Sequence, residues 1–148
     1  MKIIIDADAC PVVDIAVGIA KERNLECILV CDNTHFIQKD GAETVVVDKG
    51  ADSTDCKIAN LTEKGDVVIT QDYGLAAMCL ARGAYPLHQD GYSYTNENID
   101  ALLLARHTAA KVRRAGGRFH TTPKRTREQN EQFYHNFKAF LEQTAPRG

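Results

Sequence analysis

The sequence predicts an α/β protein, a three-layer α/β/α sandwich around a mostly parallel sheet of about five strands. Short apolar runs alternate along the chain with segments of helical periodicity, an order typical of parallel sheets with helices on both faces. The runs at 3–5, 45–47 and 67–69 are continuously apolar, as expected of strands buried on both faces. The length of 148 residues suits one domain over 1–148, with the segment 106–127 and the last helix belonging to it.

Local signals place the individual elements. Pro11 predicts a helix start, because proline suits the first helical turn, and Gly65 predicts the end of the second helix. Thr126 and Gln129 form a capping-box pattern at the start of the last helix. The predicted strands are 2–6, 26–31, 43–47, 66–70 and 84–88, and the predicted helices are 11–23, 53–64, 73–82, 96–115 and 127–143.

The composition excludes several classes of protein. No apolar run approaches the roughly 18 residues that cross a bilayer, and the first residues lack the pattern of a signal peptide. The five cysteines are scattered without a Cys-x-x-Cys pair, which argues against a structural zinc site and favours reduced, mostly buried thiols. We therefore expect a cytoplasmic protein with no membrane partner. The sequence leaves the oligomeric state open.

Aspartates follow three of the predicted strands. Ligands of open parallel sheets bind beyond the carboxyl ends of the strands, so these acids are expected at one edge. Carboxylates packed together repel one another, and protonation or a cation relieves the repulsion. Oxygen ligands suit Mg²⁺ or Mn²⁺. Taken singly, each acid except Asp6 is explained equally well as a helix cap. The acids are Asp6 and Asp8 after the first strand, Asp52 and Asp55 after the third, and Asp72 after the fourth.

Three motifs, IIIDADACPV at 3–12, GADSTD at 50–55 and VITQDYGLA at 68–76, resemble the YaiI/YqxD family of uncharacterised bacterial proteins. That family is grouped with PIN-like domains, which are Mg²⁺- or Mn²⁺-dependent ribonucleases. The resemblance implies a PIN-like fold with a role for Thr70 in orienting a carboxylate or a phosphate oxygen. It implies Asp6, Asp8, Asp55 and Asp72 as catalytic residues and Asp6, Asp55, Asp72 and Asp52 as metal ligands.

The segment 106–127 contains basic residues and no acid, and it reverses the charge of the chain. Residues 1–105 carry 8 Lys and Arg against 17 Asp and Glu, whereas residues 106–148 carry 10 against 3. Phosphate backbones bind such a segment with counterion release, although a solvated helix face followed by a basic loop has the same composition. The candidate nucleic-acid-binding residues are Arg106, Lys111, Arg113, Arg114, Arg118, Lys124 and Arg125.

Together these features predict a metal-dependent phosphodiesterase, a nuclease acting on RNA or single-stranded nucleic acid, with RNA a better candidate partner than DNA. Asn33 and Thr34, after the second strand, are candidates for positioning phosphate or water, or they form a plain polar turn. One alternative is a non-catalytic nucleic-acid-binding module. A second is a haloacid-dehalogenase-type phosphatase with Asp6 as nucleophile. That class needs a Gly-Asp after a later strand, whereas Gly65-Asp66 precedes its predicted strand.

Overall fold

A computed structural model describes residues 1–8, 10–34, 36–48, 54–114 and 124–144, and of 106–114 it describes the backbone alone. Its five strands form one sheet, parallel throughout, in the order β3-β2-β1-β4-β5. This confirms the predicted α/β class. The strands are β1 (Lys2–Asp6), β2 (Glu26–Asp32), β3 (Glu43–Val47), β4 (Val67–Ile69) and β5 (Tyr85–Leu87), and the helices are α1 (Val13–Glu22), α2 (Thr54–Leu61), α3 (Tyr73–Ala81), α4 (Asn96–Arg114) and α5 (Arg127–Thr144).

Helices cover both faces of the sheet. The apolar runs of β1 and β4 are buried as predicted, whereas the prediction is wrong for β3, an edge strand whose Val46 is 42% exposed. Successive side chains of a strand point to opposite faces, so Ile3 and Ile5 of β1 pack in one core with α1 and α5. Ile4 packs in the other core with Ile58 of α2 and Leu75 of α3. These five side chains are inaccessible to solvent, and full burial of each contributes roughly 1.5–3 kcal/mol. Helix α4 lies outside this sandwich and packs against α3.

The strand order creates a crevice at one edge of the sheet. The chain proceeds from the central β1 outward through β2 to β3, and then crosses to β4 and β5 on the other side of β1. The carboxyl ends of β1 and β4, which pair up to Ile5 and Ile69, therefore form the topological switch point. Open α/β sheets bind their ligands at such a point.

Two predicted helix boundaries are wrong. Helix α1 begins at Val13, and Val12 rather than a residue before Pro11 occupies the N-cap position. Helix α2 ends at Leu61, three residues before the predicted end at 64. The reason is Asp66, whose Oδ2 accepts a hydrogen bond from the Glu63 amide at 2.8 Å and turns the chain early.

Other local predictions are confirmed. Thr126 N donates to Gln129 Oε1 at 2.8 Å and Gln129 N donates to Thr126 Oγ1 at 3.3 Å, the reciprocal bonds of a capping box. Cysteines 27, 31 and 79 are buried free thiols. In the described ranges, none of the helices combines the length and the apolar character that a bilayer span requires.

Candidate functional site

A cavity of about 460 Å³ opens at the switch point, beyond the carboxyl ends of β1 and β4. Four of the predicted site residues, Asp6, Asp8, Thr70 and Asp72, lie in its wall. Aspartates from two distant parts of the sequence, Asp6 and Asp8 on one side and Asp72 on the other, therefore share one concave site, as the sheet-edge rule predicts. The full lining is Asp6, Asp8, Cys10, Ile69, Thr70, Gln71, Asp72, Tyr73 and Gln89.

Thr70 links the acids that follow β1 and β4. Its buried hydroxyl donates to Asp6 Oδ2 at 3.0 Å and accepts from the Asp72 amide, also at 3.0 Å. The Thr70 backbone is held as well, because its amide donates to Leu87 O at 3.0 Å and its carbonyl accepts from Tyr94 Oη at 3.1 Å. A fixed hydroxyl thus sets the orientation of the Asp6 carboxylate.

Asp72 serves as the N-cap of α3 while it lines the cavity. Its Oδ1 accepts from Gly74 N at 2.9 Å and from Leu75 N at 3.2 Å. The prediction of a helix cap at this position is confirmed. A cap and a ligand role are compatible, because the N-terminus of a helix attracts phosphate. The start of α3 therefore faces the same cavity as the acids.

Asp8 and Asp55 occupy different positions relative to the cavity. Asp8 accepts from the Asp32 amide at 3.1 Å through Oδ2, which ties the loop after β1 to the end of β2 instead of capping α1. Asp55 lies in the first turn of α2, where its Oδ1 accepts from Cys56 N at 3.0 Å. It is absent from the cavity wall, but its charge still acts on Asp6. Asp52 lies outside the described residues.

The pKa of Asp6 is raised to about 6 from the ordinary value of 3.8. Burial of the carboxylate is the largest cause. The hydrogen bond from Thr70 lowers the pKa, and the charges of Asp8, Asp72 and Asp55, in that order, raise it further. Asp6 therefore carries its charge at a free-energy cost, because it is partly desolvated and surrounded by like charges.

The donor set fits a hard divalent cation by its chemistry. Carboxylate and hydroxyl oxygens are the ligands that Mg²⁺ and Mn²⁺ prefer, and Mg²⁺ commonly uses one or two carboxylates with water completing its shell. As placed in the described ranges, no three His, Cys, Asp or Glu side chains form a group that could hold a metal ion. Asp52, one of the four predicted ligands, lies outside those ranges.

Several predicted site residues either lie away from the cavity or have side chains outside the described part of the structure. Asn33 and Thr34 are exposed in the turn after β2, where the Thr34 amide donates to Asp32 Oδ1 at 2.8 Å. Lys124 is exposed just before α5. The side chains of Arg106, Lys111, Arg113 and Arg114, on the backbone of α4, and the whole of Arg118 lie outside the described part of the chain.

Arg125, one of the predicted nucleic-acid-binding residues, has intramolecular partners. Its Nη1 donates to Asp90 Oδ1 at 2.7 Å, its Nη2 to Gln89 O at 2.7 Å, and its Nε to Asn130 Oδ1 at 2.6 Å. The side chain is only 16% exposed. Arg125 thus fixes the segment after β5 against the start of α5, and that segment reaches the cavity.

Gln89, which also lies in the cavity wall, is not among the predicted site residues. The predicted residues at the strand ends are acids, and the uncharged amide two residues after β5 has no charge that would indicate a site. Cys10 also lies in the wall of the cavity. Burial, and the charge of Asp6 in addition, raise its pKa to about 11 against the opposing effects of the Val12 amide and Arg125, which keeps the thiol protonated.

Asp66 lies at the opposite edge of the sheet from the cavity. It precedes β4, and its carboxylate bonds to Lys2 Nζ at 2.7 Å and to the Lys2 amide at 2.9 Å. A haloacid-dehalogenase-type phosphatase needs such an acid beside its nucleophile. Gly65-Asp66 therefore does not supply the second acidic motif at Asp6, which disfavours the phosphatase.

Comparison with known proteins agrees with the resemblance of the three motifs. The family model of the uncharacterised YaiI/YqxD family matches residues 4–143. A UPF0178 protein of Alkaliphilus oremlandii is 49% identical over 133 residues, covering 90% of this chain and 86% of that relative. A UPF0178 protein of Clostridium acetobutylicum is 45% identical over 143 residues, covering 95% of this chain and 97% of that relative.

Among solved structures, the chain is similar to the crystal structure of Rae1 (YacP) from Bacillus subtilis, in its W164L mutant form. The identity is 13%, the match covers 95% of this chain and 99% of that chain, and the TM-score is 0.49. A similarity of this size carries no argument about activity.

Proposed function

This chain belongs to the YaiI/YqxD family, and for this member we propose a divalent-metal-dependent nuclease that hydrolyses phosphodiester bonds of RNA or single-stranded nucleic acid. The observation that carries the proposal is the convergence of Asp6, Asp8 and Asp72 on one cavity at the switch point. These residues come from two strand ends and the start of a helix, so no single local structure accounts for their meeting.

The raised pKa of Asp6 supports a cation at this place. If the Asp6 carboxylate had only a structural role, we would expect it to have a basic partner, as Asp66 has Lys2. Asp6 instead has three acids acting on it and one hydroxyl bonded to it. A divalent ion would favour the charged form of Asp6, and when bound it supplies charge neutralisation of phosphate and a lower pKa of water.

The residues of the chain have separable parts in this proposal. Asp6 and Asp72 hold the cation and Asp8 orients water at its side of the cavity. Asp55 contributes negative charge from the start of α2, and Asp52 is a further candidate ligand. Thr70 fixes the Asp6 carboxylate through its 3.0 Å hydrogen bond. The amino end of α3 faces the same cavity and favours a phosphate group there.

The charge distribution supports a polyanionic substrate. Helix α4 packs against α3 through its first half, and its second half carries Arg106, Lys111, Arg113 and Arg114 in the sequence. A basic segment in the same domain as an acidic centre attracts nucleic acid and strengthens its binding at low salt. Non-catalytic binding would need this basic segment alone, and it leaves the acidic cavity without a role.

Metal binding and cleavage together test the proposal. We expect Mn²⁺ to bind the wild-type protein in calorimetric titration, and Asp6→Asn to weaken binding at least about tenfold by removing a charged ligand. The same variant should abolish Mn²⁺-dependent cutting of an end-labelled single-stranded RNA. Asp14→Asn is the matched control, because Asp14 is an exposed acid of α1 whose salt bridge to Lys39 lies at the surface.

The outcomes separate the two candidate functions. A wild-type protein that neither binds Mn²⁺ nor cuts RNA contradicts the nuclease. If it instead binds RNA equally well with Mn²⁺ and with chelator, and never cuts it, the chain is a nucleic-acid-binding module.

A further inference from the structure

We propose that Gln89 is a substrate-recognition residue, whose side-chain oxygen accepts a hydrogen bond from an N–H or O–H donor of the nucleotide bound in the acidic cavity. This inference rests on the proposed nuclease function and adds what the site reads on its substrate. Gln89 lies in the same cavity wall as Asp6, Asp8 and Asp72. It reaches the wall from the far side, on the segment that follows β5.

The segment 88–91, here called the pinned loop, is held rigidly by backbone and side-chain contacts. Arg125 donates to Gln89 O at 2.7 Å and to the Asp90 carboxylate at 2.7 Å. Asn136 Nδ2 donates to Asp90 O at 3.3 Å, and the Gly91 amide donates to His88 O at 2.8 Å. Arg125, which precedes α5, and Asn136 on α5 thus hold the loop through its backbone and through Asp90, not through the Gln89 side chain.

Gly91 shows how closely the pinned loop approaches α5. Its φ is +89°, a conformation that L side chains rarely adopt. A Cβ at this position would stand 2.5 Å from Asn136 Cβ and 3.1 Å from Phe133 Cα. The backbone of the loop therefore rests directly on the helix, and Gln89 is presented to the cavity from a rigid base.

The side chain of Gln89 carries an unpaired acceptor. Its Oε1 is buried and has no hydrogen-bond partner among the described residues, and no other buried side-chain nitrogen or oxygen there shares this property. A buried acceptor without a donor is destabilising, so such groups call for an explanation such as a ligand. The position of Gln89 in the cavity wall supplies one, because a ligand in the cavity can bring the missing donor.

The chemistry of the cavity narrows the choice of donor. The acids nearby accept hydrogen bonds and attract cations, so a neutral amide oxygen beside them is suited to a neutral donor group of the substrate. A nucleotide offers two such groups, the ribose 2′-hydroxyl and the amine or ring N–H of a base. A site built to bond such a donor discriminates against the analogue that lacks it, because the buried acceptor then stays unpaired.

The inference is tested by measuring each protein variant on a substrate and on two analogues that each lack one donor group. Gln89→Met keeps the length of the side chain and removes the acceptor, and Gln132→Met, an exposed position on α5, is the matched control. Each protein is given a ribose oligomer, the same oligomer with 2′-deoxyribose, and one with purine in place of adenine, which lacks the exocyclic amine. Both Mn²⁺-dependent kcat/KM and metal-free binding by fluorescence anisotropy are measured.

We expect the wild type to prefer the ribose oligomer over one of its two analogues by about tenfold. Gln89→Met should lose that preference, while its activity on that analogue stays near the wild-type value. Preference against 2′-deoxyribose identifies the hydroxyl, and preference against purine identifies the base amine. Gln89→Glu retains an acceptor, so it should keep the preference while its added charge weakens binding of all oligomers alike.

The inference is overturned if Gln89→Met keeps the wild-type preference, if the wild type has none, or if Gln89→Glu loses it as fully as Gln89→Met does. A failure of the nuclease proposal looks different, because no protein then cuts any oligomer. In that case the ratio of metal-free affinities still decides whether Gln89 reads a donor, and absence of all binding overturns both proposals.

Discussion

Two aspartates at opposite ends of the same strand pair, β1 and β4, show contrasting chemistry. Asp66 lies at the amino end of this pair, where it bonds to Lys2 Nζ, the Lys2 amide and the Glu63 amide. Burial by itself raises its pKa, but these bonds and the charge of Lys2 outweigh burial, and the pKa is lowered. Asp6 lies at the carboxyl end, where burial and three acids raise the pKa to about 6.

The difference separates a structural carboxylate from a candidate functional one. Both groups lose water, but only Asp66 receives a cation and two amides in exchange. Asp6 receives one hydroxyl, and its other close influences are acids. A buried carboxylate without a basic partner has a strongly perturbed pKa, and strongly perturbed groups in clefts are typical of functional sites.

The largest effect is expected from removing the Asp66 carboxylate, which has its full set of partners at the amino end of β1 and β4. Asp66→Ala leaves the Lys2 and Glu63 amides without their acceptor and removes the nearer of the two carboxylates paired with the Lys2 ammonium, so the free energy of unfolding should fall by about 3 kcal/mol. Urea denaturation measures this loss. The control is Asp40→Ala, because Asp40 forms an exposed pair with Lys21 and should change stability little. Equal losses in the two variants would refute the structural assignment of Asp66.

A second substitution tests whether the pinned loop belongs to the rigid part of the cavity edge. Gly91→Ala introduces a Cβ into contacts of 2.5 and 3.1 Å at a φ of +89°, so we expect a loss of about 2 kcal/mol in the free energy of unfolding. Gly18→Ala on α1 is the control, because its Cβ meets no atom within 4 Å and a helical alanine is favoured. If Gly91→Ala is as stable as wild type, the loop yields easily and its rigidity is refuted.

A third substitution, in the candidate site, is expected to raise the stability of the protein instead of lowering it. Asp6→Asn removes a charge that burial and neighbouring acids disfavour, so the metal-free variant should be about 1 kcal/mol more stable than wild type at pH 7. Thermal unfolding in the presence of chelator measures the difference. A variant that is less stable than wild type would mean that the charged Asp6 carboxylate, like that of Asp66, is stabilised by its partners in the folded protein.

The pH dependence of that difference has a defined window. Because the folded pKa of Asp6 lies near 6 and its ordinary value is 3.8, the folded state binds more protons than the unfolded state between these values. Stability from this group is complete below about pH 4 and is lost as pH rises through about 6. The advantage of Asp6→Asn should therefore grow between pH 4 and 6 and level off above. A constant advantage across this range would contradict the raised pKa.

A further effect, similar in size to that of Asp6→Asn, concerns the support behind Thr70. Tyr94→Phe removes the hydrogen bond from Tyr94 Oη to Thr70 O, and the variant should lose about 1 kcal/mol of stability because the carbonyl loses a donor. Tyr85→Phe is the control, since Tyr85 is exposed at 41%. Denaturant midpoints compare the two variants, and an equal response would mean that this bond does not support Thr70.

Most of the fold was predictable because it depends on local patterns. The apolar runs of β1 and β4, the helical periodicities and the Thr126 capping box are read from neighbouring residues, and each element exists where predicted. The exceptions depend on distant contacts. Helix α2 ends early because Asp66, which also bonds to Lys2, captures the Glu63 amide.

The candidate site divides in the same way. Its acids were found by a rule about strand ends, which is a property of any parallel sheet and needs no coordinates. The sequence by itself therefore determined the α/β class and the expectation that five aspartates meet at one edge. Asp6, Asp8 and Asp72 do line the cavity there, whereas Asp55 does not and Asp52 lies outside the described residues. The family membership follows from the sequence too.

Only the tertiary structure decided which partner each polar group obtains. Arg125 looks like its basic neighbours in the sequence, yet it is bonded to Asp90 and Gln89. Thr70 joins Asp6 to Asp72, and Gln89 enters the cavity wall. Hydrogen bonds and charge interactions depend on distances of a few ångströms between residues far apart in the chain, and no periodicity of the sequence encodes those distances.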